Sequence, residues 1–116
     1  MAIASEIIGK LGGADVEVIP AEGAASGPSG SSTVIATIDV PAGETWLVAA
    51  IGQTTVGASG PSQLPEFRLG DVNVSRAPSG THGLATTATG TISFSIKRSY
   101  SYGSDTFAGH VYTVKL

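Results

Sequence analysis

Short segments in which apolar and polar residues alternate recur along most of this sequence, and they limit the fold more than any other feature. The clearest are Val34–Val40 and Ile92–Ile96, where every second residue is apolar. Side chains of a β-strand point alternately to its two faces, so this spacing predicts strands with one buried face. No helical pattern after residue 14 is long enough to cross between parallel strands, so we expect antiparallel pairing.

Turn signals separate seven such segments. Pro20 is expected to end the first strand, and Pro41-Ala42-Gly43-Glu44 predicts a tight turn. Gly70-Asp71 predicts a two-residue hairpin, because glycine supplies the positive φ of a type II′ turn. These features predict an all-β fold, a single antiparallel β-sandwich or jelly-roll-like barrel over residues 15–116, after an N-terminal arm or short helix over residues 1–14. The expected strands are 15–19, 33–40, 45–51, 67–69, 72–74, 92–97 and 107–116.

The composition points to a chain that associates with other proteins. Its 116 residues fit one domain, and only 13% of them are charged, against about 25% in ordinary soluble domains. So little charge leaves the surface poorly protected against association, which predicts protein partners or self-assembly. The net charge is −3 and the six basic residues are scattered, so we expect no nucleic-acid partner.

The N-terminal segment has its own pattern. Ile3, Ile7, Ile8 and Leu11 fall on one face of a helix, and Gly12-Gly13 would end it. This segment is either a loose turn or extended arm, or an arm that docks on a neighbouring subunit. We expect no signal peptide, because Glu6 interrupts the apolar run and no basic residue precedes it. We also expect no membrane partner, because no apolar stretch approaches the roughly 18 residues that a span needs.

No residue pattern here carries catalytic chemistry. The sequence has no Gly-x-Ser-x-Gly nucleophile elbow and no phosphate-binding loop. It has no cysteine, and its two histidines, His82 in an expected surface loop and His110 in an expected strand, lack further metal ligands. Asp71–Ser75 resembles half of a calcium loop, but Arg76 stands where glycine is needed. We therefore expect a protein that is not an enzyme and has no cofactor or metal.

Aromatic and loop residues offer two candidate contacts. Tyr100 and Tyr102 would point the same way from an extended loop, as an exposed pair suited to an interface or a sugar. Trp46 lies in the most apolar segment and is expected in the core. Three Pro-Ser loops should emerge at one end of the domain, either as ordinary solvated loops or as a contact tip. They are Gly27–Gly30, Gly60–Ser62 and Ala77–Gly80.

The closing strand, 107–116, is apolar on both faces. Phe107 and Val111 lie on one face, and Tyr112, Val114 and Leu116 lie on the other. Such a strand is either central in its sheet or covered by a partner. Because surface charge is low, we predict that this strand and Thr45–Ile51 border a subunit contact in a trimer, and that Tyr112 belongs to it.

Four features of the sequence resemble the small β-sandwich virion proteins of tailed bacteriophages, among them the capsid decoration or cement proteins. The resemblance covers most of the chain. It extends to the composition, which has no cysteine, is rich in Gly, Ser and Thr, and carries little charge. The features are the apolar N-terminal segment, the element Val40-Pro41-Ala42-Gly43-Glu44-Thr45-Trp46, the Phe67–Val74 hairpin and the closing strand Gly109–Leu116.

The resemblance implies a structural protein without catalytic residues. Decoration proteins typically sit as trimers on the capsid lattice, and an N-terminal arm often makes the capsid contact. The leading hypothesis is therefore a virion protein, assembled in the host cytoplasm, that stabilises a phage head by bridging copies of the major capsid protein. Alternatives are a tail, neck or fibre subunit that binds another virion protein and, in a different class, a carbohydrate-binding module that uses Tyr100 and Tyr102.

Overall fold

The protein folds as two four-stranded antiparallel sheets that pack together. The computed structural model describes residues 16–57, 64–71, 73–76, 78–101 and 103–116, and these contain eight strands and no helix. The strand order is β1-β8-β3-β6 in sheet A and β2-β7-β4-β5 in sheet B. This confirms the all-β, antiparallel sandwich prediction. The strands are β1 Val16–Ala25, β2 Ser32–Ile38, β3 Trp46–Val56, β4 Glu66–Leu69, β5 Asn73–Arg76, β6 Gly80–Ala88, β7 Ile92–Lys97 and β8 Asp105–Lys115.

The first strand is longer than expected. It continues through Pro20 to Ala25 and pairs with β8 along its whole length. Our expectation that Pro20 ends the strand was wrong because β1 lies at the edge of sheet A. A proline has no N–H to donate, and an edge strand needs ladder hydrogen bonds on one side only.

A bulge changes which side chains of β2 are buried. The pairing of β2 with β7 shifts between Val34 and Ala36, so Ile35 has no register partner. Ile35 consequently packs against the core while Val34 is 59% exposed. A bulge inserts one extra residue and reverses the alternation beyond it. The prediction that Val34 shares a buried face with Ile38 was therefore wrong.

The two sheets meet in a core of aliphatic and aromatic side chains. Sheet A contributes Val48, Phe107 and Val111, and sheet B contributes Phe67 and Phe94. The rings of Phe94 and Phe107 meet edge to face with centroids 4.7 Å apart, across the sandwich. Each such fully buried side chain contributes about 1.5–3 kcal/mol to stability. Trp46 packs against this core while partly buried, as predicted.

Two glycines face each other in the central strands of sheet A. Gly52 of β3 pairs with Gly109 of β8. A Cβ built on Gly52 would lie 2.5 Å from the carbonyl oxygen of Ala108 and 2.8 Å from Cζ of Phe107. Real Cβ atoms do not approach other atoms so closely, so this crossing point needs glycine.

Short turns join the strands at one end of the sandwich. The amide of Glu44 donates to Pro41 O at 3.1 Å, and Gly43 has φ +82°, which confirms the predicted tight turn. Gly70 has φ +70° in the β4–β5 hairpin. Because Leu69 pairs with Asn73, three residues rather than the predicted two separate the paired positions.

Candidate functional site

The connections β1–β2, β3–β4, β5–β6 and β7–β8 lie at the opposite end, which we call the loop end. Register places the end of β1 and the start of β8 together, since Ala25 pairs with Asp105, and the end of β3 joins them because Val56 also pairs with Asp105. The loops around Gly27–Gly30 and Pro78–Gly80 both emerge there. This confirms their predicted clustering; Gly60–Ser62 and Ala77 lie outside the described residues.

A buried ion pair joins the two sheets at the loop end. Arg98 follows β7 of sheet B and Asp105 begins β8 of sheet A, and both side chains are 0% exposed. Arg98 Nη1 donates to Asp105 Oδ2 at 2.9 Å and to Ala25 O at 3.2 Å, and Nη2 donates to Gly103 O at 3.0 Å. Breaking such a pair by removing one partner is costly, because the other charge stays buried and uncompensated.

Tyr100 completes this network and is buried. Its hydroxyl donates to Asp105 Oδ1 at 2.6 Å, and its ring lies 4.3 Å from Arg98 Cζ. Burial, reinforced by the adjacent Asp105 carboxylate, raises the pKa of the Tyr100 hydroxyl. With 4% of its surface exposed, Tyr100 cannot form the predicted exposed pair, because the loop folds back instead of running extended. Tyr102 lies outside the described residues.

The outer face of sheet A is the second surface of interest. We define it by the outward-pointing residues of β1, β8 and β3 that register places side by side: Val16, Val18, Tyr112, Val114, Leu47, Ala49 and Ile51. Val18 is 52% and Ile51 47% exposed, whereas Val114, between Val16 and Leu47, is 1% exposed. Glu22, nearer the loop end, is the one Asp, Glu, Lys or Arg at the described outward positions of this sheet. This face is therefore almost uncharged.

The closing strand lies in the centre of sheet A. β8 is flanked by β1 and β3, so of the two arrangements expected for this strand the central one is observed. The predicted division of its faces is confirmed: Phe107 and Val111 point into the core, and Tyr112 lies outward beside His110, with ring centroids 6.1 Å apart. Its central position accounts for the apolar inner face. It does not account for aliphatic residues on the outer one.

The outer face of sheet B has a different composition. Its outward positions carry four charged side chains together with serine, threonine and two exposed valines. The charged ones are Arg68, Arg76, Lys97 and Glu66, and the valines are Val34 and Val74. Thr37 Oγ1 lies 3.3 Å from Ser93 Oγ in a hydrogen bond. Arg76 pairs with Glu66 at 3.1 Å. This face holds three cations and one carboxylate in a chain whose net charge is −3.

The edges of both sheets are poorly suited to strand addition. β1 carries Pro20, and β2 carries the bulge at Ile35. At the other side of the sandwich, Asn73 Nδ2 of β5 donates to Ala85 O of β6 at 2.6 Å. Proline, bulges and covered backbone groups are the devices that prevent edge-to-edge pairing. The faces are therefore better suited to association than the edges are.

Both histidines lie in strands of sheet A, His82 in β6 and His110 in β8. His82 was expected in a surface loop, but it lies in β6, half-buried with its ring centroid 5.4 Å from that of Phe67. Burial lowers the pKa of His82. The described residues contain no group of three His, Cys, Asp or Glu side chains that could hold a metal ion.

Several predicted features fall outside what the structure describes. Ile3, Ile7, Ile8 and Leu11 lie in residues 1–15, which are not described, so the docking arm stays a prediction. Within the described residues, no helix is long and apolar enough to cross a membrane. The chain matches no family model, no curated protein and no solved structure.

Proposed function

We propose that this protein is a structural subunit of a phage particle, a capsid decoration protein that stabilises the head by bridging copies of the major capsid protein. The observation that carries the proposal is the almost uncharged, aliphatic outer face of sheet A. Outward positions of a sandwich do not contribute to its own core, so polar residues are expected there in a monomer. Exposed aliphatic residues on this face, Val18 and Ile51, indicate a surface that another protein covers.

The proposed mechanism is additive. Each copy buries a modest apolar area, and the symmetry of a particle repeats that contact many times, so weak single contacts sum to a large stabilisation. Protected sheet edges suit this arrangement, because they limit strand-to-strand polymerisation at high local concentration. A trimer whose contact includes Tyr112, with an N-terminal arm as a second contact, is the form that the resemblance to decoration proteins favours.

The decisive variant is Tyr112→Lys. Tyr112 lies between Val18 and Ala49 in register, so a lysine there would place an unpaired charge in the contact. We expect trimer formation and particle binding, measured by sedimentation, to weaken about a hundredfold, equivalent to about 2.8 kcal/mol. Tyr112→Phe is the matched control and should bind like the native protein.

Two results would contradict the proposal. One is a native protein that stays monomeric at high concentration and does not sediment with its particle. The other is a Tyr112→Lys variant that unfolds rather than losing assembly alone. Electron microscopy of the parent particle locates the protein. Density on the capsid lattice supports the decoration role. Density on the tail, neck or fibre instead assigns the protein as a subunit of that structure.

A further inference from the structure

One arginine has no hydrogen-bond or ion-pair partner among the described residues. Arg98 pairs with Asp105, and Arg76 pairs with Glu66 and also donates to Leu64 O and Ser99 Oγ. Arg68, by contrast, forms no hydrogen bond or ion pair with any described residue, and its Nε is buried. A guanidinium is always charged and carries five N–H donors. The half-buried Arg68 guanidinium, which has no acidic partner among the described residues, can therefore bind an anion.

Arg68 borders a cleft on the outer face of sheet B. The cleft has a volume of about 240 Å³ and is lined by Arg68, Gly70, Asp71, Thr91, Ser93 and Ser95. Gly70, in the hairpin turn that joins β4 to β5, forms part of its wall: its φ is +70°, and a Cβ there would lie 3.1 Å from Cδ1 of Ile92.

The hydroxyl groups of the cleft are not equivalent. Thr91 Oγ1 already donates to Asp39 at 2.9 Å, and Ser93 shares its hydrogen bond with Thr37. Ser95 is the register partner of Arg68, and its side chain has no hydrogen bond among the described residues. Arg68 and Ser95 thus present free donors side by side.

We propose that this cleft binds a carboxylate through Arg68 and Ser95. The planar guanidinium matches a carboxylate in a two-point hydrogen-bonded pair, and the serine hydroxyl adds a third donor. Asp71 lies in the cleft and Asp39 lies behind Thr91, and neither pairs with Arg68. These two negative charges disfavour a dianion such as phosphate and select a ligand with one charge.

The natural ligand is an Asp or Glu side chain of a neighbouring protein in the particle, an assignment that rests on the proposed function. Sheet B faces away from sheet A, so a carboxylate held by Arg68 would give the domain a second contact on its opposite side. Two contacts on opposite sides are what a subunit needs to bridge its neighbours. The cleft itself can be tested on the isolated protein.

The test is NMR of the arginine Nε–Hε groups in the full chain, titrated with sodium acetate and, separately, with sodium phosphate at constant ionic strength. We expect the Arg68 signal to move and saturate with acetate, while the signals of Arg76 and Arg98 move less than a tenth as far. Phosphate should bind several-fold more weakly. Equal, unsaturable shifts of all three signals would overturn the site, and tighter binding of phosphate would overturn its assignment to carboxylates.

Two variants extend the test. Arg68→Gln should abolish the saturable response, and Asp71→Asn, a change in an exposed turn that leaves the fold intact, should strengthen acetate binding at least threefold. An unchanged affinity in Asp71→Asn contradicts the proposal even if Arg68→Gln fails to fold.

The particle supplies a separate readout. Arg68→Gln should weaken binding to the particle more than Arg76→Gln does. It should also reduce the dependence of that binding on salt concentration more than Arg76→Gln does. If acetate binds but Arg68→Gln leaves particle affinity unchanged, the assignment to a particle subunit is overturned, while Tyr112→Lys still decides the proposed function.

Discussion

The two outer faces of this sandwich are built on the same core but differ in charge. On sheet A the outward positions are almost uncharged and include valine, leucine, isoleucine and tyrosine, whereas on sheet B charged side chains lie among serine, threonine and the two exposed valines Val34 and Val74. The fold requires only the inner face of each sheet to be apolar. The exposed aliphatic residues of the sheet A face, Val18 and Ile51, therefore contribute little to the fold, and their presence is better explained by contact with another protein.

The largest expected effect comes from breaking the buried ion pair of Arg98 and Asp105, which joins the two sheets. Asp105→Ala leaves Arg98 buried without its carboxylate, so we expect the free energy of unfolding to fall by about 3–5 kcal/mol. Urea denaturation measures this loss, and binding through both faces should decline with it.

The matched control is the double variant Arg98→Met/Asp105→Leu. It removes both charges and should recover much of the lost stability, because no buried charge remains unpaired. An Asp105→Ala protein as stable as the native one would show that the ion pair does not join the sheets.

A matched pair of lysine substitutions compares the faces directly. Ile51 on sheet A is 47% exposed, and Val34 on sheet B is 59% exposed, so either lysine can reach water in the monomer and both variants should fold. We expect Ile51→Lys to weaken trimer formation about tenfold, or about 1.4 kcal/mol, and Val34→Lys to weaken trimer formation less than twofold. Sedimentation of the two variants side by side is the measurement. Equal effects would remove the distinction between the faces.

The smallest expected effect concerns His82, which contacts sheet B from β6 of sheet A. Burial lowers the pKa of His82 below the ordinary value of 6.5, so the folded state favours the neutral ring and the unfolded state takes up the proton first. The free energy of unfolding should therefore be unaffected above that pH and decrease slightly as the pH falls through and below it. Urea denaturation of the native protein and His82→Gln at several pH values checks this. An identical slope in both would exclude His82 as the cause.

Much of the fold was predictable because its information is local. Alternation in β7 and β8 and turn residues such as Gly43 gave the strands, the antiparallel pairing and the inward and outward sides of β8. β6 was missed: Gly80–Ala88 has only Leu84 and Ala88 as buried apolar residues, and it forms a strand because β3 pairs with it. The bulge at Ile35 was equally hidden, since it depends on the partner strand.

The candidate surfaces were less predictable because they depend on contacts between distant strands. The alternation of β8 indicated an apolar outer side, but not that Val18 and Ala49 would lie beside Tyr112. The buried pair of Arg98 and Asp105 was overlooked entirely. A signal was present, since an arginine and an aspartate flank one loop seven positions apart, but only the tertiary fold shows that both become buried.

The facing pair of Gly52 and Gly109 has a consequence for how reliably this chain folds. β3 and β8 are both 11 residues long, and a slip of two residues between them would keep every apolar side chain on its proper face. Hydrophobic patterning alone therefore cannot reject that misfolded alignment. At the crossing point, however, a slip would bring Gly52 opposite Phe107 or Val111 and separate the two residues that lack a Cβ. The glycine pair thus favours one register between the two longest strands and makes the neighbouring registers sterically unfavourable.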